Sequence, residues 1–158
     1  MKGNSSYASF RVAAKLENLA AIRRFVEEAT TTLGVDPTTI TEIVLAVDEA
    51  AANIIVHGYR GHTGPMAIQV KRSHDALVIC LRDKAPPFDP TSVPAIDLTA
   101  PLEERVAGGL GVHLIRKIMH EVTHHVTREG GNQLILVKRL EAKSENLHID
   151  NQPWTCTA

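Results

Sequence analysis

The chain has little of what several large classes of protein depend on. Aromatic residues make up only 4% of its 158 residues, and the formal net charge is −1. It therefore lacks the stacking surfaces of single-strand binders and the basic excess of general nucleic-acid binders. No apolar run approaches the ~20 residues that a membrane-spanning helix needs, and the first residues lack the apolar segment of a signal peptide. These absences predict a cytoplasmic protein that contacts neither nucleic acid nor membrane.

Cysteine is also scarce, with only Cys80 and Cys156. Two cysteines cannot form a disulfide framework, and neither has the spacing of a metal ligand. Since Cys80 lies in an apolar stretch, we expect it to be a thiol packed in the core. What the chain does have is 44% hydrophobic residues, which is enough for one buried core in a chain of single-domain length.

Apolar periodicity and turn residues divide the chain into short elements. The second helix begins at Asp36 and Pro37, a capping residue followed by a residue suited to the first helical position. The predicted order is a strand at 6–14, helices at 16–34 and 37–56, strands at 66–72 and 76–82, a helix at 112–119 and strands at 122–128 and 133–140. Strand pairs joined by short turns, together with grouped helices, predict an α+β fold. We expect a two-layer sandwich in which a mostly antiparallel sheet is covered by a layer of helices.

Two segments do not fit this pattern. Prolines at 86, 87, 90, 94 and 101 exclude a long regular element between residues 84 and 107. An irregular stretch of this length inside a domain is usually functional or mobile. Residues 141–158 are polar with a single Trp, and we expect them to form a poorly ordered tail.

The second helix carries polar side chains in an otherwise apolar stretch. Glu49, Asn53 and His57 are spaced four residues apart, so they share one face of the helix. A single Glu or Asn on a helix is most often a solvated position, but three in register are harder to explain in that way. A carboxylate and an amide oxygen one turn apart suit Mg²⁺, which takes oxygen ligands and keeps waters or borrows phosphates for the rest. Asp48 either helps to order water on such a metal or faces solvent.

Two further features could bind a ligand, a glycine cluster and the aspartate Asp83. A glycine cluster at 108–111 (GGLG) precedes the third helix. Glycines allow a ligand to approach the backbone, and the amides at a helix N-terminus favour phosphate, although short glycine clusters are often only turns. The cluster matches neither a P-loop nor a dinucleotide fingerprint. Asp83 ends a hairpin strand, which by itself is an ordinary strand-ending turn.

Together and in this order, three segments resemble the GHKL ATPase superfamily: residues 49–59 (EAAANIIVHGY), 83–90 (DKAPPFDP) and 108–122 (GGLGVHLIRKIMHEV). Within it they are most similar to the anti-sigma-factor serine kinases, which are short single ATPase domains. The resemblance covers about residues 8–140. It implies the Bergerat (GHKL) ATPase fold, with a histidine-kinase-like ATPase domain over residues 1–140, an ATP lid at about 90–107 and a C-terminal tail at 141–158.

The resemblance also implies roles for individual positions. Glu49 matches the general base, Asn53 matches the Mg²⁺ ligand, and Asp83 matches the aspartate that binds the adenine amino group. The implied ATP-binding set is completed by neighbours in the same motifs: Ala85, Phe88, Gly108, Gly109, Leu110 and Gly111. Phe88 has the alternative of packing under the loop.

The match has one departure and several open points. The family's adenine motif often reads Asp-x-Gly, whereas this chain has Ala85, whose methyl group is tolerable at a negative φ and awkward at a positive one. The signature at 57–59 (HGY) has no catalytic role that we can assign. Arg105 is the best candidate for an arginine finger, with a solvated loop charge as the alternative. A histidine cluster is also present: His120, His124 and His125. No cysteine or carboxylate set completes a zinc site with it.

The implied function is that of an ATP-binding, Mg²⁺-dependent serine/threonine protein kinase. Its implied substrate is a small anti-sigma-factor antagonist, with sequestration of a sigma factor as an additional activity. The alternative is a nucleotide-gated protein-binding regulator with negligible kinase activity. Glu49 favours the enzyme, because a pure binding module needs no base there, whereas Ala85 keeps the alternative open. Relatives are often homodimers, so a homodimer is a further assembly to expect.

Overall fold

Strands and helices follow one another in the order that the periodicity predicts. The computed structural model describes residues 7–92, Thr99, residues 109–140 and Cys156. In chain order the elements are β1 (Tyr7–Ala13), α1 (Leu19–Thr32), α2 (Pro37–Asn53), β2 (Pro65–Ser73), β3 (Ala76–Asp83), α3 (Gly109–Ile118), β4 (Glu121–Val126) and β5 (Asn132–Arg139). Short 3₁₀ turns cover Leu16–Asn18 and Pro90–Ser92, and a π-helical turn, Ile54–Gly58, follows α2.

The strands form a sheet in the order β1-β2-β3-β5-β4, and every neighbouring pair is antiparallel. β3 is the central strand, in which Ile79 lies opposite Val70 of β2 on one side and Leu136 of β5 on the other. The predicted α+β fold, with an antiparallel sheet under a layer of helices, is confirmed.

The main core lies between the sheet and the helices. Successive side chains of a strand point to opposite faces, and Leu77, Ile79 and Leu81 of β3 are fully buried in this core. α2 packs against both α1 and α3 and contributes Ile43 and Val47 to the same core. Burying a side chain of this size is worth about 1.5–3 kcal/mol. The packing therefore holds α2, and with it the polar residues that α2 carries, in a defined position.

α2 begins where the sequence predicts and ends earlier. Asp36 Oδ2 accepts a hydrogen bond from the Thr39 backbone N–H at 2.9 Å, and Pro37 is the first residue of the helix. The sequence predicts a helix to residue 56, but the α-helical pattern ends at Asn53 and the next five residues form the π turn. Single π turns within helices are frequent at functional sites.

The expectation that Cys80 is a packed thiol is wrong. Cys80 and Cys156 form a disulfide, with their Cα atoms 6.1 Å apart across 76 residues of sequence. Cys80 lies on the face of β3 that points away from the main core, and Cys156 packs against it there. Cysteines so distant in sequence have no informative spacing, so their pairing depends on the three-dimensional fold.

Two predicted segments fall largely outside the described residues. Of the predicted lid at 90–107 the structure describes 90–92 and Thr99, and of the predicted tail at 141–158 it describes Cys156. The limits of the ATPase domain at 1–140 therefore stay a prediction. Among the described residues, no helix has the length and the apolar character that crossing a membrane requires.

Candidate functional site

A small cavity lies where α2, α3 and the adjoining ends of β3 and β5 meet. Its volume is about 20 Å³, which is room for one or two water molecules. The apolar part of its wall consists of Ala50, Ile54, Gly58, Phe88, Pro90, Ile115 and Leu134. Four polar side chains also reach it: Asn53, Asp83, His124 and Asn132. Apolar walls with a few convergent polar groups are the lining that small-molecule sites have, but at this volume a ligand larger than water enters only if the lining moves.

Beside this cavity, α2 presents Glu49 and Asn53 one helical turn apart, and the first turn of α3 lies against them. A Cβ atom added to Gly111 would lie 2.7 Å from Glu49 Oε2 and 3.7 Å from Asn53 Nδ2. A side chain at position 111 would therefore force the carboxylate or the helix to move. The fold thus brings together three of the predicted site residues, which come from two separate sequence motifs.

The Asn53 side chain makes no hydrogen bond with the described part of the chain. It is 9% exposed, and its Nδ2 atom is buried without a partner. Leaving such a group unpaired costs about 1–3 kcal/mol, so an orphaned amide in a native protein calls for an explanation such as a bound ligand, ion or water. Nδ2 is a hydrogen-bond donor, so its natural partner is an acceptor such as a phosphate oxygen. The atoms of this pair that could bind Mg²⁺ are Asn53 Oδ1 and the Glu49 carboxylate, since Mg²⁺ takes oxygen ligands.

A metal at this place would need additional ligands. Among the described residues, no group of three or more His, Cys, Asp or Glu side chains could hold a metal ion. Mg²⁺ commonly keeps several waters and completes its shell with substrate phosphates. Asn53 therefore fits a metal that arrives with a phosphate ligand, and its role as a Mg²⁺ ligand stays a prediction.

Asp83, which also lines the cavity, terminates β3 and is 7% exposed. Asp83 and its partners are called the Asp83 end of the site below, and Glu49 and Asn53 the Glu49 end. Its Oδ1 atom accepts hydrogen bonds from the Ala85 backbone N–H and from Asn132 Nδ2, both at 2.9 Å. Burial raises the pKa of the Asp83 carboxyl above its ordinary value, although these two hydrogen bonds and the charge of His124 oppose the rise. Both of these hydrogen bonds go to Oδ1, which leaves Oδ2 as a further acceptor of the same carboxylate.

Asn132 is the residue of this site that the sequence reasoning missed. It is the first residue of β5 and lies directly opposite Asp83 in the sheet. Besides Asp83, its Nδ2 donates to the carbonyls of Ala85 and Pro86 at 3.1 and 3.2 Å. Its Oδ1 accepts from the Phe88 backbone N–H at 3.1 Å. One buried amide therefore fixes both the carboxylate and the loop that follows it.

His124 of β4 extends this network toward the loop. Its Nε2 lies 2.9 Å from Asn132 Oδ1, and since an amide oxygen only accepts, Nε2 carries the proton. Its Nδ1 faces Asp89 Oδ1 at 3.7 Å. The only sequence signals for these residues were a polar residue after a Gly-Gly turn and a histidine in a cluster, and neither signal indicated a shared site.

Ala85 replaces the glycine of the family motif without backbone strain. Among the described non-glycine residues, only Arg60 and His74 have a positive φ, so Ala85 lies in a region open to any side chain. Its methyl group is buried and faces Gly58 of the π turn, where an added Cβ would lie 3.3 Å from it. The missing side chain at Gly58 accommodates the extra methyl at Ala85.

The HGY signature has a structural explanation in Tyr59. The Tyr59 hydroxyl donates to the Pro65 carbonyl at 2.6 Å and accepts from the Lys84 backbone N–H at 2.9 Å. It thereby ties the start of β2 to the residue that follows Asp83. Burial raises the pKa of the Tyr59 hydroxyl, which therefore stays protonated at neutral pH. Tyr59 positions the end of β3 rather than reacting.

The other predicted residues are placed as follows. Phe88 lines the cavity, with its ring centroid 6.4 Å from that of His57, so it both packs under the loop and faces the site. Gly109 and Leu110 belong to the backbone of α3, whereas Gly108 and Arg105 lie outside the described residues. These assignments to ATP binding and catalysis stay predictions.

Asp48 is partly exposed, and no observation tests whether it orders water on a metal. Its Oδ1 lies 3.5 Å from Arg23 Nε of α1, so its carboxylate pairs with a neighbouring helix. The histidine cluster also separates, because His120 Nδ1 accepts from the Arg139 backbone N–H at 3.0 Å, whereas His124 bonds Asn132.

Comparison with protein-family models matches residues 12–138 to the histidine kinase-like ATPase domain. The chain belongs to this family. The match covers both motifs that meet at the cavity and confirms the resemblance drawn from the motifs. Glu49, Asn53, Asp83 and the start of α3 thus lie within a histidine kinase-like ATPase domain.

Curated relatives share most of their length with this ATPase domain. The chain is 26% identical over 147 residues to the serine-protein kinase RsbW of Bacillus cereus (strain Q1), covering 90% of this chain and 89% of the relative. It has the same identity and coverage with the serine-protein kinase RsbW of Bacillus anthracis (strain CDC 684 / NRRL 3495). The predicted similarity to anti-sigma serine kinases is confirmed at the level of the family.

Solved structures agree with the fold. The crystal structure of the RsbU and RsbW domains of Rv1364c from Mycobacterium tuberculosis has a TM-score of 0.61 at 17% identity and covers 90% of this chain, which spans 35% of that longer chain. The SiaB–SiaC complex from Pseudomonas aeruginosa has a TM-score of 0.60 at 15% identity, covering 83% of this chain and 88% of that one.

Proposed function

We propose that this protein binds ATP with Mg²⁺ at the described cavity and acts as a serine/threonine protein kinase of the anti-sigma type. The observation that carries the proposal is that Asn53 and Asp83 line one cavity, with Glu49 one helical turn from Asn53 beside Gly111 and with Asn53 Nδ2 unpaired among the described residues. Kinship with the RsbW serine-protein kinases supports the choice of reaction.

The adenine end of the proposed site is built around Asp83. Its Oδ1 is already occupied by Ala85 and Asn132, so its Oδ2 would accept a hydrogen bond from the adenine amino group. Guanine presents a carbonyl at the equivalent position, which a carboxylate repels. The cavity of about 20 Å³ is smaller than a purine, so entry of the base would displace Phe88 and Pro90, the lining residues that lie on the irregular loop.

The phosphate end would lie between α2 and the first turn of α3. Asn53 would hold Mg²⁺, which supplies charge neutralisation for the triphosphate. Gly111 allows the α3 backbone to approach, and in this proposal residues 90–107 form the lid of the 1–140 ATPase domain. The serine hydroxyl oxygen of the protein substrate forms a bond to the γ-phosphorus, and ADP leaves. Glu49 accepts the proton of that hydroxyl. Such reactions depend mainly on positioning and charge.

The protein substrate in this proposal is a small anti-sigma-factor antagonist, and a sigma factor is the second partner that the protein sequesters. The SiaB–SiaC complex supports a fold of this kind holding a protein partner. A transferred phosphate adds about −1.5 to −2 charges, which is enough to weaken an interface with the antagonist. Partner exchange would then follow phosphorylation, in a protein acting as a monomer or a homodimer.

The test is calorimetric binding of Mg-ATP and Mg-GTP, followed by transfer from γ-labelled ATP to protein in an extract of the source cells. We expect ATP to bind at least tenfold more tightly than GTP, and the label to appear on serine or threonine. Absence of binding at millimolar ATP would contradict the whole proposal. Tight binding without any transfer would leave the nucleotide-gated regulator as the function.

A further inference from the structure

The sheet has a second apolar cluster on the face that points away from the main core. Its members are all buried residues of β3 and β5: Ala76, Val78, Cys80, Ile135 and Val137. The strand alternation explains this, since these positions lie between the residues that face the helices. Cys156 packs against the cluster, although it follows the end of β5 by many residues.

The Cys80–Cys156 disulfide holds Cys156 against this apolar cluster. Its separation of 76 residues means that it joins the centre of the sheet to the C-terminal end of the chain. Cys80 is 3% exposed, whereas Cys156 is partly exposed. Cys156 is therefore the more accessible residue of the pair.

We infer that Cys80 and Cys156 form a reversible redox modification site whose substrate is a cellular thiol or dithiol reductant. The reductant's thiolate attacks Cys156 Sγ and forms a mixed disulfide, while Cys80 leaves as a thiolate and takes up a proton. A second thiol of the reductant then displaces Cys156 as a thiol. Two electrons pass from the reductant, which becomes a disulfide, to the protein, which gains two thiols.

Reduction has a defined structural consequence. The covalent bond that holds Cys156 on the sheet is lost, so Cys156 stays against the apolar cluster only through packing. A reduced Cys80 behaves as a small apolar side chain, so the sheet itself persists. Disulfides that occur in reducing compartments are usually transient or redox-sensing, and this one joins a strand residue to Cys156, which belongs to none of the described strands or helices.

This site does not rest on the proposed kinase function. Cys80 and the ATP-site residue Asp83 share β3, but Cys80 belongs to the cluster on the outer face, whereas the cavity is lined from the helix side. The redox state and nucleotide binding are therefore measured separately, and failure of one proposal leaves the other standing.

The experiment uses the full chain equilibrated in glutathione buffers from oxidising to reducing, then quenched and titrated for thiols after denaturation. We expect no free thiol and no disulfide between chains at the oxidising end, two free thiols per chain at the reducing end, and interconversion without unfolding. The thermal midpoint of the reduced protein should fall by about 10 °C, since a long loop is no longer closed. After reduction and removal of the reductant, a maleimide added to the native protein should label Cys156 faster than Cys80.

Cys156→Ser is the matched control. It should have the midpoint of the reduced wild type under all conditions and should not respond to dithiothreitol. Two free thiols in the most oxidising buffer, a disulfide between two chains, or a bond that is reduced only after denaturation would each overturn the inference. A wild-type midpoint that does not change on reduction would do the same.

Discussion

The Asp83 end and the Glu49 end of the candidate site differ in how their polar side chains are paired. At the Asp83 end, Asn132 bonds the carboxylate, two loop carbonyls and the Phe88 N–H. At the Glu49 end, the buried Asn53 amide has no partner in the described residues. The first end is assembled by folding, so a change there should affect stability and binding together. The second end keeps its polar groups for a ligand, so a change there should affect function alone.

The largest expected effect tests the Glu49 end. Glu49→Gln keeps the shape of the side chain beside Gly111 but cannot accept a proton. We expect phosphoryl transfer to fall by about 10²–10⁴-fold, the usual range for a general base, with ATP affinity and thermal midpoint unchanged. Asp48→Asn is the control, because that carboxylate pairs with Arg23 and should leave transfer intact. If both variants lost phosphoryl transfer equally, the loss would come from removing a negative charge on α2 and not from removing a general base.

The next largest effect tests the Asp83 end, which is assembled by folding. Asn132→Ala removes the donor to Asp83, Ala85 and Pro86 and the acceptor for Phe88. Each buried group left unpaired costs about 1–3 kcal/mol, so we expect the free energy of unfolding to fall by about 3 kcal/mol in denaturant titrations. ATP affinity should fall with it, since Asp83 and its loop lose their anchor.

Asn53→Ala is the matched comparison, because it replaces the same residue type at the Glu49 end of the site. No hydrogen bond within the described chain is lost, so the free energy of unfolding should not fall as it does for Asn132→Ala. The Mg²⁺-dependent part of ATP affinity should fall at least tenfold, about 1.4 kcal/mol. If Asn53→Ala were as destabilising as Asn132→Ala, the contrast between the two ends would be wrong.

A smaller effect is expected from a change at Asp83 itself, which should lower ATP affinity without lowering stability. Asp83→Asn keeps an oxygen for Ala85 and Asn132 but replaces Oδ2, the proposed acceptor for the adenine amino group, with an amide donor. We expect ATP affinity to fall at least tenfold. The thermal midpoint should hold or rise, because a buried charge has been removed. A clear fall in the midpoint would mean that the carboxylate is needed for folding rather than for the ligand.

Sequence reasoning predicted the elements because their signals are local. The Asp36 cap and the alternation in β3 are readable within a few residues, and so were the polar positions of α2. The end of α2 was misplaced because a glycine at 58 indicates the end of a helix but does not distinguish an α-helical from a π-helical last turn.

The contacts that sequence reasoning missed depend on how the strands are arranged in the sheet. Asp83 and Asn132 are 49 residues apart and become partners because β5 pairs with β3 in one particular register. Cys80 and Cys156 meet across 76 residues. The strand order β3-β5-β4 is not visible in a hydrophobic pattern, since β5 follows β4 in the chain and yet lies beside β3. Contacts of this kind become predictable only when the order and register of the strands are known.

The smallest effect, that of pH, compares Asp83 with Asp89. Burial raises the pKa of Asp83, so its contribution to folding is fully present below the unfolded-state pKa and is lost as pH rises through the raised value. Burial also acts to raise the pKa of Asp89, but the hydrogen bonds from Thr91 outweigh it and leave that pKa lowered. Its contribution is present above the ordinary value of 3.8 and is lost as pH falls through the lowered one.

Thermal midpoints measured from acidic to neutral pH should show the two opposite slopes. Relative to wild type, Asp83→Asn should gain stability as pH rises, because only the wild type then carries the buried charge. Asp89→Asn should lose stability, relative to wild type, over the range in which Asp89 ionises. If both differences have the same sign, burial does not govern Asp83, and the Asp83 end of the site holds its carboxylate as an ordinary ionised group.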